Sequence, residues 1–266
     1  MRRLMAAAVI LLPSFSLLNA GDNSAEVRTK GSGTSVYIDQ AGSTNTARVW
    51  CGLSEGAYAT HTCSSATIDL DQDGSGNLAK AYSQYTNHTD NQYTISQTGD
   101  GNTGYIDMDE DGNDSTVTQV GDDNYAEIYM SGDDNVYTII QNGSDYYAKM
   151  YAFGDDSEWT ITQSGTGDHN ALIKSCNNCN NNDATITQSG SGDMDGDIDF
   201  KTNPADNNEV NLTQSGGGDH VGNITLKEGS FLVNATQTGS IAKGYTVTLD
   251  CSGGGCNKTV TITQAD

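Results

Sequence analysis

Tyr93-Thr94-Ile95-Ser96-Gln97-Thr98-Gly99, Ser115-Thr116-Val117-Thr118-Gln119-Val120-Gly121, Tyr137-Thr138-Ile139-Ile140-Gln141-Asn142-Gly143 and Trp159-Thr160-Ile161-Thr162-Gln163-Ser164-Gly165 are one phrase written four times. The four glutamines stand 22, 22 and 22 residues apart. A fixed period in this range marks a stacked repeat architecture. Within each phrase apolar and β-branched polar residues alternate with period two, which reads as a strand. The apolar residue and the glutamine then face one way and the threonines the other.

Outward from this stretch the same glutamine recurs. The series is Gln40, Gln72, Gln97, Gln119, Gln141, Gln163, Gln188, Gln214, Gln237 and Gln264, at intervals of 32, 25, 22, 22, 22, 25, 26, 23 and 27 residues. Two residues before each stands an apolar side chain: Ile38, Leu70, Ile95, Val117, Ile139, Ile161, Ile186, Leu212, Ala235 and Ile262. Two residues after each of the first nine stands a glycine: Gly42, Gly74, Gly99, Gly121, Gly143, Gly165, Gly190, Gly216 and Gly239. Glycine at a fixed place after a strand predicts a tight turn with positive φ. A second strand follows, clearest at Tyr105–Met108, Ala126–Met130 and Ala148–Tyr151, and a Gly/Asp/Asn-rich turn returns the chain. One repeat is therefore strand, turn, strand, turn.

About 22 residues cannot bury a core alone, but stacked coils bury a continuous one. Successive coils would lie ~4.8 Å apart. Equivalent residues then form columns, and inward glutamines can bond amide to amide along the stack. That accounts for a polar residue repeated on a buried face, where an unpaired amide costs about 1–3 kcal/mol.

The 266 residues include 31 glycines, 2 prolines and a net charge of −23. Low hydrophobicity with high charge usually means disorder, but a disordered chain has no need to repeat a buried position. So acidic a surface repels nucleic acid. Residues 1–20 read as a signal peptide: Arg2 and Arg3, then an apolar run from Leu4 to Leu12, then Ala20 before the cut. Residues 21–34 read as a flexible polar leader and 35–266 as the repeat domain. Export permits disulfides. Cys51 with Cys63, Cys176 with Cys179, and Cys251 with Cys256 each fall within one lengthened interval, where a local bond would tie the inserted loop.

The unit S-x-V/I-x-Q-x-G-x-G-N-x-A resembles the repeat of curlin, the subunit of curli fibres. Here it stands as Gln40-Ala41-Gly42-Ser43-Thr44-Asn45-Thr46-Ala47 and Gln72-Asp73-Gly74-Ser75-Gly76-Asn77-Leu78-Ala79, and Gln119 to Ala126 keeps the spacing with Asn124. The resemblance extends over Ser35 to Gln264. It implies an all-β, two-sheet parallel β-solenoid, here of about ten strand–turn–strand coils. It also implies an exported bacterial protein forming extracellular amyloid-like fibres, or pili, for adhesion and biofilm matrix. The implied partners are further copies of itself, a nucleator subunit and an outer-membrane secretion channel, with no cofactor. Curlin has a second ladder glutamine where this chain has Met108, Met130 and Ala152.

The same residues also suggest other chemistries. Asp69, Asp71, Asp73 with Gly74, and Asp107, Asp109, Asp111 with Gly112, spell D-x-D-x-D-G, half of a calcium loop. The glutamate at its twelfth place is missing, since Lys80 and Thr118 stand there. Outward threonine pairs also fit an ice-binding face on a monomeric solenoid, and such a surface could equally meet a receptor. His169 and His220, each after Gly-Asp, read as turn residues. No histidine constellation supports catalysis.

Overall fold

A computed structural model of the chain describes residues 14–18, 21–29, 33–51, 65–83, 90–108, 114–166, 168–177, 179–202, 205–240, 243–251 and 256–265. Every named element among them is a strand. The first sheet contains β1 (Ser14–Leu18), β3 (Ser35–Asp39), β5 (Thr67–Asp69), β7 (Gln92–Thr94) and β9 (Asp114–Ser115). It continues with β14 (Glu158–Ile161), β16 (Asp183–Thr187), β18 (Ala205–Thr213), β20 (Gly229–Gln237) and β22 (Cys256–Gln264). Single bridges from Asp114 to Val136 and from Val136 to Glu158 join its halves.

The second sheet holds β2 (Val27–Thr29), β4 (Val49–Cys51), β6 (Ala81–Ser83), β8 (Asp107–Met108) and β11 (Ala126–Ser131). After these come β13 (Ala148–Phe153), β15 (His169–Asn177), β17 (Met194–Thr202), β19 (His220–Lys227) and β21 (Lys243–Asp250). A short pair, β10 (Gln119–Val120) and β12 (Gln141–Asn142), lies between the sheets in chain order. Pairing is parallel throughout, and the chain visits the two sheets in strict alternation. This is the two-sheet β-solenoid that the resemblance implies, built of the stacked coils that the 22-residue period predicts.

Alternation of burial follows from the pleat. Along the first sheet Ile95, Val117, Ile139, Ile161, Ile186 and Leu212 are fully buried in one column, while the threonines between them stay half-buried outside. Facing them on the second sheet is a column of small residues: Ala47, Ala79, Gly104, Ala126, Ala148, Ala171, Gly196 and Gly222. Their smallness is steric. A Cβ on Gly196 would stand 2.7 Å from Leu212 Cδ1, and one on Gly104 would stand 3.3 Å from Val117. The next column inward, Ile128, Met150, Ile173, Ile198 and Ile224, is fully buried.

Three expectations need correction. Of the nine turn glycines only Gly239 (φ 71°) adopts the left-handed conformation. The reversal is carried by residues beside them instead, such as Gln97 (φ 84°) with Asp100 (φ 72°) and Gln119 (φ 71°) with Asp122 (φ 77°). Nothing in the structure requires glycine at Gly42, Gly165 or Gly216. Second, His169 and His220 are not turn residues. They open β15 and β19, almost fully buried, in one column with Met194. Third, the coils begin before Ser35. Segment 21–34 contributes β2, in register with β4 through Val27 and Val49. From within residues 1–20, β1 lies along β3, pairing Phe15 with Val36 and Leu17 with Ile38.

Candidate functional site

The repeated glutamines stand in one buried column between the sheets. From Gln97 through Gln119, Gln141, Gln163, Gln188 and Gln214 each Nε2 donates to the next Oε1 at 2.6–2.8 Å. Gln40, Gln72 and Gln97 extend the column with amides 2.5 Å apart. A primary amide offers two donors and two acceptor lone pairs, and the backbone takes up the rest. Gln119 Nε2 also donates to Tyr125 O at 2.7 Å, and Gln214 Nε2 to Val221 O at 3.0 Å. The bonded ladder stops at Gln214; Gln237 continues the column, but its Nε2 reaches Gly244 O and its Oε1 has no hydrogen-bond partner. Gln264, on the last strand, is exposed.

The motif asparagines form a second column. Asn77 donates to Asn45 at 2.9 Å, Asn102 to Asn77 at 2.8 Å and Asn124 to Asn102 at 2.6 Å. Their donors point toward the amino-terminal end, opposite to those from Gln97 to Gln214, so the two rows of side-chain dipoles oppose. Beyond Asn124 the column changes to Tyr146, His169, Met194, His220 and Lys243, and the Tyr146 ring stacks on His169 at 4.4 Å.

A third column stands six residues before the glutamines at the opposite turn. Asn182 N donates to Asn208 Oδ1, Ser157 N to Asn182 Oδ1, and Asn135 N to Ser157 Oγ, at 2.8–3.1 Å. Asn91 takes the same place and accepts from Ala66 N. Sequence reading missed this column, although its spacing from the glutamines was as regular as that of the glycines.

The outer faces differ in chemistry. The first sheet presents Asp39, Asp69, Asp71, Asp114, Glu158, Asp183 and Glu209 among its threonines, with Glu158, Asp183 and Glu209 in register. Burial raises the carboxyl pKa of Asp69, aided by the charge of Asp71, and burial alone raises that of Asp114. The second sheet presents aromatic rings and cations beside its own carboxylates, Asp107, Glu127, Asp195, Asp197 and Asp199. Trp50 stacks on Tyr82 at 4.5 Å and Tyr125 on Tyr147 at 5.1 Å. Arg28 lies over Trp50, Lys80 over Tyr105, and Lys149 over both Tyr147 and Tyr151. The rings present their faces to each other along the axis, so they staple neighbouring coils.

Of the aspartates spelling D-x-D-x-D-G, Asp69 and Asp71 lie on the first sheet's outer face, and Asp73 in the turn after Gln72. Asp107 sits on the second sheet between Tyr82 and Tyr129, while Asp109 and Asp111 fall outside the described residues. Among the described residues no three His, Cys, Asp or Glu side chains are grouped to hold a metal ion. Cys51 and Cys179 are buried, and no described cysteine is a free thiol. Cys63 and the side chains of Cys176 and Cys256 lie outside the described residues. Met108, Met130 and Ala152 share one column of the second sheet, so no second glutamine ladder exists there.

Residues 89–121 match the family described as Curlin associated repeat. That segment is a curlin-type repeat. The matched segment contains β7, the Gln97 turn, β8 and the return through β9 to Gln119, about one and a half turns of the solenoid. No curated protein matches the chain, and no solved structure does. Curlin repeats build structural proteins and not catalysts.

Proposed function

We propose that this curlin-repeat chain is a secreted subunit that stacks head to tail into extracellular amyloid-like fibres at a bacterial surface, serving adhesion and biofilm matrix. One observation bears most of the weight. At the carboxy-terminal end Ile262 is 48% exposed and Leu249 41% exposed, in columns that are buried along the solenoid. No strand lies beyond β21 or β22 among the described residues. An uncovered parallel edge with an unfinished core is a template for another chain. A nucleator subunit and an outer-membrane secretion channel are the further partners of this reading. Local disulfides Cys51–Cys63, Cys176–Cys179 and Cys251–Cys256 tie the inserted loops, and alkylation of the unfolded chain before reduction should label none of the six.

Negative-stain microscopy and thioflavin fluorescence of the chain lacking residues 1–20 provide the test. Fibres are expected, and joint replacement Ile262→Lys with Gln264→Lys should reduce their growth at least tenfold. A chain that stays monomeric under all conditions overturns the reading. It would leave a monomeric solenoid displaying a surface for calcium, ice or a receptor, with the ring-and-cation face of the second sheet the candidate for the receptor.

A further inference from the structure

The two ends of the solenoid are not equivalent. At the carboxy-terminal end the last coil is bare. At the other end Val36 and Ile38 on β3 are only 1% and 2% exposed, and β1 lies along them in parallel register. We propose that β1 holds, in the unprocessed chain, the place that β22 of a second copy takes in the fibre, so that removal of residues 1–20 opens the receiving end. This rests on reading residues 1–20 as a removable leader and the chain as a head-to-tail subunit.

Strand phase supports it. With β1 present, the described chain visits the first sheet eleven times, counting Val136, and the second sheet ten times. It then begins and ends on the same sheet. Joining two such copies would set β22 against β1 with no second-sheet strand between them, leaving a gap of ~4.8 Å in that sheet. Without β1 there are ten visits to each sheet, beginning with β2 and ending with β22. Copies then join with the alternation unbroken, β21 on β2 and β22 on β3.

The side chains match under that phase. Extending the observed columns sets Gln264 on Gln40, Ile262 on Ile38 and Val260 on Val36, the backbone positions that β1 pairs with in the unprocessed chain. On the second sheet Val247 meets Val27, and Tyr245 meets Ala25. Tyr245 is the one large residue in a column of alanines and glycines. Its ring lies over Gly222, where a Cβ would be 2.2 Å from Cε1, and its hydroxyl donates to Leu212 O and Thr236 O at 3.2 Å. A small residue opposite is what such a ring needs. Across the joint Gln264 meets Gln40, whose own amide begins the bonded row that runs to Gln214.

The test is a full-length chain with a specific protease site inserted between Ala20 and Gly21, added to short fibre seeds made from residues 21–266. Uncut chain should elongate seeds at least tenfold more slowly than the same sample after cutting. Uncut chain carrying Phe15→Asp and Leu17→Asp should elongate without cutting, because its leader no longer holds the edge. Equal rates for uncut and cut chain overturn the leader's role. So does growth only after cutting that the Phe15/Leu17 variant fails to reproduce. Failure of the cut chain to form any fibre instead overturns head-to-tail stacking. The register is read separately: with Tyr37→Cys and Thr261→Cys, residues one rung apart across the joint, air oxidation of fibres should give a ladder of covalent multimers. Fibres that yield only monomer overturn the register.

Discussion

Gln141 illustrates why a polar residue can recur in a core. Its Nε2 donates to Gln163 and its Oε1 accepts from Gln119, so neither end of the amide is left unpaired on burial. Replacing it with alanine strands a donor on one neighbour and an acceptor on the other, at about 1–3 kcal/mol for each amide left unpaired. The urea midpoint of Gln141→Ala should fall accordingly, while Thr138→Ala on the outer face of the same coil should leave it nearly unchanged. The glycines separate in the same way. A Cβ on Gly154, at φ 152°, would stand 1.8 Å from Gly132 O, a backbone atom that cannot rotate away, whereas one on Gly165 meets nothing within 4 Å. Gly154→Ala should therefore cost several times the stability lost in Gly165→Ala, as measured by thermal unfolding. The repeat motif points to the opposite ranking, because Gly165 belongs to it and Gly154 does not.

Among the elements, β14 shows how a coil is held beyond its backbone ladder. Trp159 is fully buried, 6.4 Å from Tyr137 and stacked at 5.3 Å on Phe200 of β17, so one ring links three successive coils and both sheets. Truncating a buried tryptophan costs about 3–5 kcal/mol, through lost transfer energy and the cavity left behind. Trp159→Ala should reach that range in urea unfolding. It should expose β14 and β16 to hydrogen exchange before β3 and β5, because each coil of a solenoid touches only its neighbours. Element existence was legible in the sequence from the glutamine period and the alternation around it. Element order at the amino-terminal end was not. Gly21, Asn23, Ala25 and Val27 repeat the second-sheet half of the unit with one residue missing, too short a match to separate from a leader by eye.

For the whole molecule, charge sets the conditions of folding and assembly. Burial first, with Asp71 next to Asp69, raises the carboxyl pKa of Asp69, and burial raises those of Asp114 and Asp195. A carboxyl raised in the fold contributes stability that is fully present below its unfolded value, near 3.9. That stability is lost as pH rises through the folded value. The net charge of −23 adds repulsion between copies at neutral pH, which fades toward the isoelectric point near 4.1. Thermal midpoint and fibre growth rate should both rise as pH is lowered from 7 toward 4.5. Added salt at pH 7 should raise the growth rate in the same direction, since it screens exposed charges. A fall in both on acidification would show that carboxylates accepting backbone N–H bonds in the turns, such as Asp122 and Asp155, dominate the balance.

The sequence by itself determined the coil. A 22-residue recurrence of glutamine and isoleucine, alternating with threonine, admits one economical arrangement, because only stacking lets a short unit bury a polar amide with its partners satisfied. Tertiary structure decided what periodicity cannot express. Backbone torsion moved the left-handed positions from the glycines to Gln97, Asp100 and their equivalents, since a turn distributes its reversal over several residues. Lateral packing stacked cations against rings on the second sheet, because that depends on register between strands far apart in the chain. The ends also waited on the fold: whether β3 is an open edge or a covered one depends on a strand whose own sequence reads as something to be removed.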